Sequence, residues 1–141
     1  MAAVQLAPEK TARIKRSRSG AAVVEFAVCL PILVIVVFGS IEACNAIFLK
    51  QAATAAAYEA ARVGTNSGGT QFAAQTRAEE ILAARTIDGA TLNFNPDDES
   101  SWERGTEIAV TVAVPTANNL GGINLFFQGQ TLQSTITMVK Q

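Results

Sequence analysis

From Phe26 to Ile41 the chain reads "FAVCLPILVIVVFGSI", 16 residues without a charge. Extended back to Ser19, the run covers 23 residues whose only charge is Glu25. Roughly 20 apolar residues span the hydrocarbon of a bilayer as a helix. This stretch is apolar all round, which predicts a transmembrane helix rather than an amphipathic surface helix. Pro31 removes one backbone donor and predicts a bend or local loosening, which membrane helices tolerate. The helical pattern then continues through "EACNAIFLKQAATAAAYEAARV", Glu42 to Val63, with no proline or glycine until Gly64. One helix over 21–63 would be about 65 Å long, twice the membrane thickness. Ala52, Ala56, Ala60 and Gly64 repeat a small residue every fourth position, with Ala53, Ala57 and Ala61 in a row beside them. Such rows permit close helix packing, and they also arise from the high helix propensity of alanine alone; both readings stand.

Beyond this helix the period changes. "GTNSGG", Gly64 to Gly69, ends it in a turn. Thr70 to Ile87 predicts a shorter amphipathic helix, with Thr70 as N-cap and Ala74, Ala78, Ile81 and Leu82 on one face. Asp88-Gly89 turns the chain, and "ATLNF" is a possible short strand. In "EIAVTVAV", Glu107 to Val114, Ile108, Val110, Val112 and Val114 share one face, and Pro115 closes the run. "TLQSTITMV", Thr131 to Val139, alternates again with Leu132, Ile136 and Met138 on one face. The two predict neighbouring antiparallel strands with one buried face. The residues between them are long for a hairpin loop; Leu125, Phe126 and Phe127 either pack under the sheet, the preferred reading, or form a contact patch. The fold class is α+β: a long N-terminal membrane-type helix followed by a small domain with a short helix and an antiparallel sheet. The expected organisation is a basic cytoplasmic leader at 1–20, a long helix at 21–63 that spans the membrane over about 21–42, and an exported domain at 64–141.

Charge gives this layout a direction. Of 11 basic residues five (Lys10, Arg13, Lys15, Arg16 and Arg18) fall in the first 20 positions, against the single acid Glu9. The remainder holds six basic and 11 acidic residues, a net −5. A basic arm, an apolar run and an acidic remainder describe an N-terminus held on the cytoplasmic side with the rest exported. A basic tail also suits nucleic acid, but the apolar run beside it favours the membrane. The sequence has no histidine, so the usual general base and the commonest metal ligand are missing. Cys29 and Cys44 would lie about 22 Å apart along a helix, beyond disulfide reach within one chain, and both read as small buried hydrophobes. The acidic loop around Asp97, Asp98 and Glu99 lacks the alternating ligand spacing of an EF-hand and reads as solvated. No phosphate loop or nucleophile motif occurs, so no enzyme activity, cofactor, metal or small-molecule substrate is expected.

Two acids flank the span. With Ala21 at the inner edge, Glu42 lies about 31 Å further on, at the outer edge of a ~30 Å core, and needs no special role. Glu25 lies inside the apolar run, where an acid costs on the order of 3 kcal/mol unless it stays partly wet near the interface.

The segment "RSRSG" followed by "AAVVEF" resembles a class III, type IV prepilin-like leader. A basic segment ends in Gly20, a mature N-terminus would begin at Ala21, and Glu25 stands fifth, followed by Phe26. With "GAAVVEFAVCLPILVIVVFGSIEA" and "QAATAAAYEAARVGT", the match from Ser19 to Thr65 is similar to the TadE-like family of the tight-adherence (Flp-type) pilus system. "YEAARVGT" departs from the Arg-Glu-Gly-Ala-Arg of many relatives. The resemblance implies a minor pilin or pseudopilin rather than the much shorter shaft subunit. It implies cleavage between Gly20 and Ala21 by a prepilin peptidase. It also implies an assembly and register role for Glu25 beside Phe26, with Glu25 meeting the Ala21 amine of a neighbouring subunit. The implied partners are the inner membrane, the peptidase, other pilins or pseudopilins and the pilus assembly platform. The competing readings are an uncleaved single-pass anchor carrying a periplasmic binding domain, a lipoprotein attached at Cys44, and a tethered hydrolase using the Asp97–Glu107 acids.

Overall fold

The computed structural model describes residues 19–121 and 126–141. The basic arm from Lys10 to Arg18, and Leu125 in the loop, lie outside the described residues. The chain divides into two compact units, 1–34 and 35–141. Helix α1 runs continuously from Ser19 to Thr65, through Pro31. In the first unit every helical side chain from Ala21 to Val34 is exposed, so this apolar run contributes nothing to the core.

The second unit holds the core. Its part of α1 buries Glu42, Ala46, Leu49, Ala53, Ala56 and Ala60, a three-and-four spacing that keeps one face turned inward. Helix α2, Gln71–Ala84, starts at Thr70, whose hydroxyl accepts the Ala73 N–H at 3.1 Å. The cap satisfies one of the orphan donors of the first turn. Ala74, Ala78 and Leu82 are its buried positions. Strands β1 (Thr91–Asn95), β2 (Glu107–Pro115) and β3 (Thr131–Val139) form one antiparallel sheet in the order β1-β2-β3. The sheet thus includes "ATLNF", with Phe94 opposite Val110 and Val110 opposite Ile136.

β2 is the central strand, and its alternation sends Ile108, Val110, Val112 and Val114 into the core with no exposed surface. They join the buried alanines of α1, Ala74, Ala78 and Leu82 of α2, and Phe94 and Trp102 in one cluster. Between β2 and β3 the chain forms a short helix α3, Thr116–Asn119. It then returns through a loop in which Phe127 packs partly against the core and Phe126 stays exposed. Phe127 thus follows the packing expectation, and Phe126 lies outside the core. Cys29 and Cys44 are both exposed, a correction to their expected burial. Cys29 belongs to the outward-facing apolar run, and Cys44 lies out of phase with the buried face of α1.

Candidate functional site

At the N-terminal end of α1, Gly20, Ala21, Glu25 and Phe26 are all exposed. Among the described residues no hydrogen bond or ion pair reaches Glu25. Its neighbours Val23, Val24, Phe26 and Val28 are between 59% and 69% exposed, so a charged group sits on a greasy surface with no partner from the described part of its own chain. α1 has the length and composition to cross a membrane once.

Glu42 differs in every respect. It is 3% exposed, and its carboxylate receives the Phe126 N–H at 2.9 Å and 3.1 Å and the Phe127 N–H at 2.8 Å. Charge-assisted bonds of this kind exceed neutral ones in strength. They connect α1 to a loop 84 residues away in sequence. The expectation that Glu42 needs no special role is thereby corrected: it fastens the loop before β3. Its position was readable in one respect, because 42, 46, 49, 53, 56 and 60 form one helical stripe. The two backbone donors carry no sequence signature.

The small-residue rows lie inside the second unit. Ala52, Ala56 and Ala60, like Ala53, Ala57 and Ala61, have no exposed surface. A Cβ on Gly64 would come within 3.1 Å of the Trp102 ring and 3.4 Å of the Ala74 methyl. The bare backbone at 64 is what lets the indole and α2 approach this closely.

Lys140 completes the same end of the helix. Only 9% exposed, its ammonium donates to the carbonyls of Gly64 at 2.7 Å, Asn66 at 3.0 Å and Gly69 at 2.7 Å. It also sits 5.9 Å from the centre of the Trp102 ring. A cation here satisfies carbonyls left orphaned where a helix ends and complements the negative end of the macrodipole. Gln141 adds a backbone bond to the Thr65 carbonyl at 2.9 Å. Nothing in the local sequence "MVKQ" announces this clamp.

Two carboxyls outside the apolar segment are held below their ordinary range. The Arg62 side chain, bonded at 2.7 Å, lowers Glu59. Bonds from the Ser100 hydroxyl and N–H lower Asp98. Asp98 thereby caps a single 3-10 turn at Glu99–Ser101, which is the structural use made of this acidic loop. Among the described residues no group of three His, Cys, Asp or Glu side chains is placed to hold a metal ion.

Residues 20–62 match the family model described as TadE-like protein. The match begins at Gly20 and runs along α1 nearly to its end, taking in both Glu25 and Glu42, and bears out the TadE-like resemblance read from the sequence. No curated protein and no solved structure matches the chain.

Proposed function

We propose that this chain is a pseudopilin or minor pilin of a tight-adherence, Flp-type pilus system, with a structural rather than enzymatic role. The observation that carries the reading is the coincidence of the TadE-like match with a helix whose apolar stretch over 20–38 is exposed throughout. In this reading the basic arm at 1–20 stays in the cytoplasm. The helix at 21–63 crosses the inner membrane over about 21–42, and the α+β domain at 64–141 is exported. A membrane-embedded prepilin peptidase cuts between Gly20 and Ala21 and creates an amine at Ala21.

Glu25 of one subunit then meets the Ala21 amine of a neighbour in the assembling helix bundle. A lone carboxylate in hydrocarbon is costly, and pairing offsets the desolvation of both charges only where the subunits stand in the right axial register. Other pilins or pseudopilins and the assembly platform are the partners. The test is the mass of the mature N-terminus in cells with and without the prepilin peptidase. A chain beginning at Ala21 only when the peptidase is present is the expected result. An intact leader in both would replace this reading with that of an uncleaved anchor carrying a periplasmic interaction domain, and lipid on Cys44 would indicate a lipoprotein.

A further inference from the structure

The loop before β3 meets α1 at an unusual level. A Cβ on Gly39 would lie 3.1 Å from the Phe126 ring, so the ring rests on a residue that belongs to the uncharged run Phe26–Ile41. The next polar group on that face is Glu42, whose carboxylate takes the N–H groups of both Phe126 and Phe127. The hydroxyl of buried Thr116 lies 2.6 Å from the Phe127 carbonyl. The N–H groups of Phe126 and Phe127 and the Phe127 carbonyl are therefore satisfied from within the chain, which lowers the cost of bringing irregular backbone toward hydrocarbon. Phe126 nevertheless remains 57% exposed, at the level along α1 where Ile41 is 51% exposed. Above it opens a groove of about 400 Å³ lined by Ala43, Ala46, Ile47, Lys50, Gln51 and Phe127.

We infer that the Phe126–Phe127 corner is a membrane-seated foot. The Phe126 ring enters the acyl–headgroup boundary at the Ile41 end of the span, and Glu42 and Gly39 hold it at that depth. The inference rests on the reading of α1 as a membrane-crossing helix. The occupant is lipid, because the ring shares its level with the bilayer-facing side chains of α1, and aromatic rings favour that boundary. Water around an exposed phenyl ring is the costlier alternative. Seating the foot restrains the exported domain about the axis of its own helix and presents it to the membrane in one orientation.

The test uses the full chain at low protein-to-lipid ratio in phosphatidylcholine–phosphatidylglycerol vesicles whose acyl chains carry bromine at shallow or deep positions. Phe126→Trp is compared with the unaltered chain, whose buried Trp102 supplies a common background. Ile32→Trp, within the apolar run, serves as the control for the span. The expected result is a blue-shifted emission from Phe126→Trp, quenched more by shallow than by deep bromines and little by aqueous iodide. Glu42→Ala in the same background should move it toward iodide. Quenching of Ile32→Trp by bromolipid but of Phe126→Trp by iodide would overturn the foot while leaving the span intact. Protection of Phe126→Trp from both quenchers would place the ring against protein and overturn it equally. Failure of bromolipid to quench Ile32→Trp would remove the membrane reading, and the foot with it.

Discussion

The two halves of α1 share one helix and obey opposite rules. From Gly20 to Phe38 every described side chain is exposed and apolar surface dominates. From Glu42 to Thr65 one face is closed over by the sheet, α2 and Trp102 until the alanines from Ala52 to Ala61 that face the core have no exposed surface. Their acids divide in the same way. Glu42 accepts from the backbone N–H groups of Phe126 and Phe127, whereas Glu25 stands exposed without a partner among the described residues. An acid that a fold uses for itself is buried with its donors; one left bare in an apolar surface is explained by something outside the subunit. The C-terminal half therefore builds the domain, and on the proposed reading the N-terminal half is left to membrane and neighbours.

Substitutions in the two halves should separate along this line when unfolding of the full chain in detergent micelles is followed by Trp102 fluorescence. The largest effect is expected from Ala57→Leu, which forces a bulky side chain into a site without free surface and should destabilise the domain by roughly 3 kcal/mol. Ile32→Ala and Val36→Ala should leave the same transition within about 0.5 kcal/mol, since neither side chain contributes to the core. Equal sensitivity in the two halves would erase the distinction. Glu42→Ala leaves the Phe126 and Phe127 N–H groups without their acceptor and should cost about 2 kcal/mol. Lys140→Met keeps the aliphatic stem but abandons three carbonyls; a loss of about 1.5 kcal/mol, with faster amide exchange over the last turn of α1, is expected.

The smallest effect is in pH. Glu59 and Asp98 are held below their ordinary values in the folded chain, so on acidification the unfolded chain takes up their protons first. Their contribution is complete above the ordinary carboxylate range of ~4 and disappears as pH falls through the lowered folded values. Glu59→Gln with Asp98→Asn should lower stability slightly at neutral pH, leave it unchanged below the lowered folded values, and so flatten that acid limb. An unaltered limb in the double variant would mean that other carboxyls govern it.

Most of the architecture was legible because it rests on periodicity. The uninterrupted apolar run, the alanine helix, the Thr70 cap and the alternation of β2 and β3 each encode one element locally. What escaped were contacts between residues far apart in sequence. Glu42 looked free of any structural role because its donors are backbone amides of Phe126 and Phe127, groups every residue but proline possesses. Lys140 looked like an ordinary terminal lysine because its three acceptors are carbonyls. The alanine rows were visible as a pattern, yet periodicity alone could not say whether they faced this chain's own sheet or another subunit. Glu25 was singled out from sequence by its cost in an apolar run, and the structure adds that the described part of its own fold supplies no compensation.

That leaves Glu25 as the sharpest point of the account, and Glu25→Gln is the substitution that addresses it. The measurement is the fraction of processed chain recovered in high-mass filament assemblies, taken together with the mass of its N-terminus. The account predicts that the Glu25→Gln chain is still cut at Ala21 and that its domain unfolds as before, while its recovery in assemblies collapses. Unchanged assembly of a correctly processed Glu25→Gln chain would contradict it.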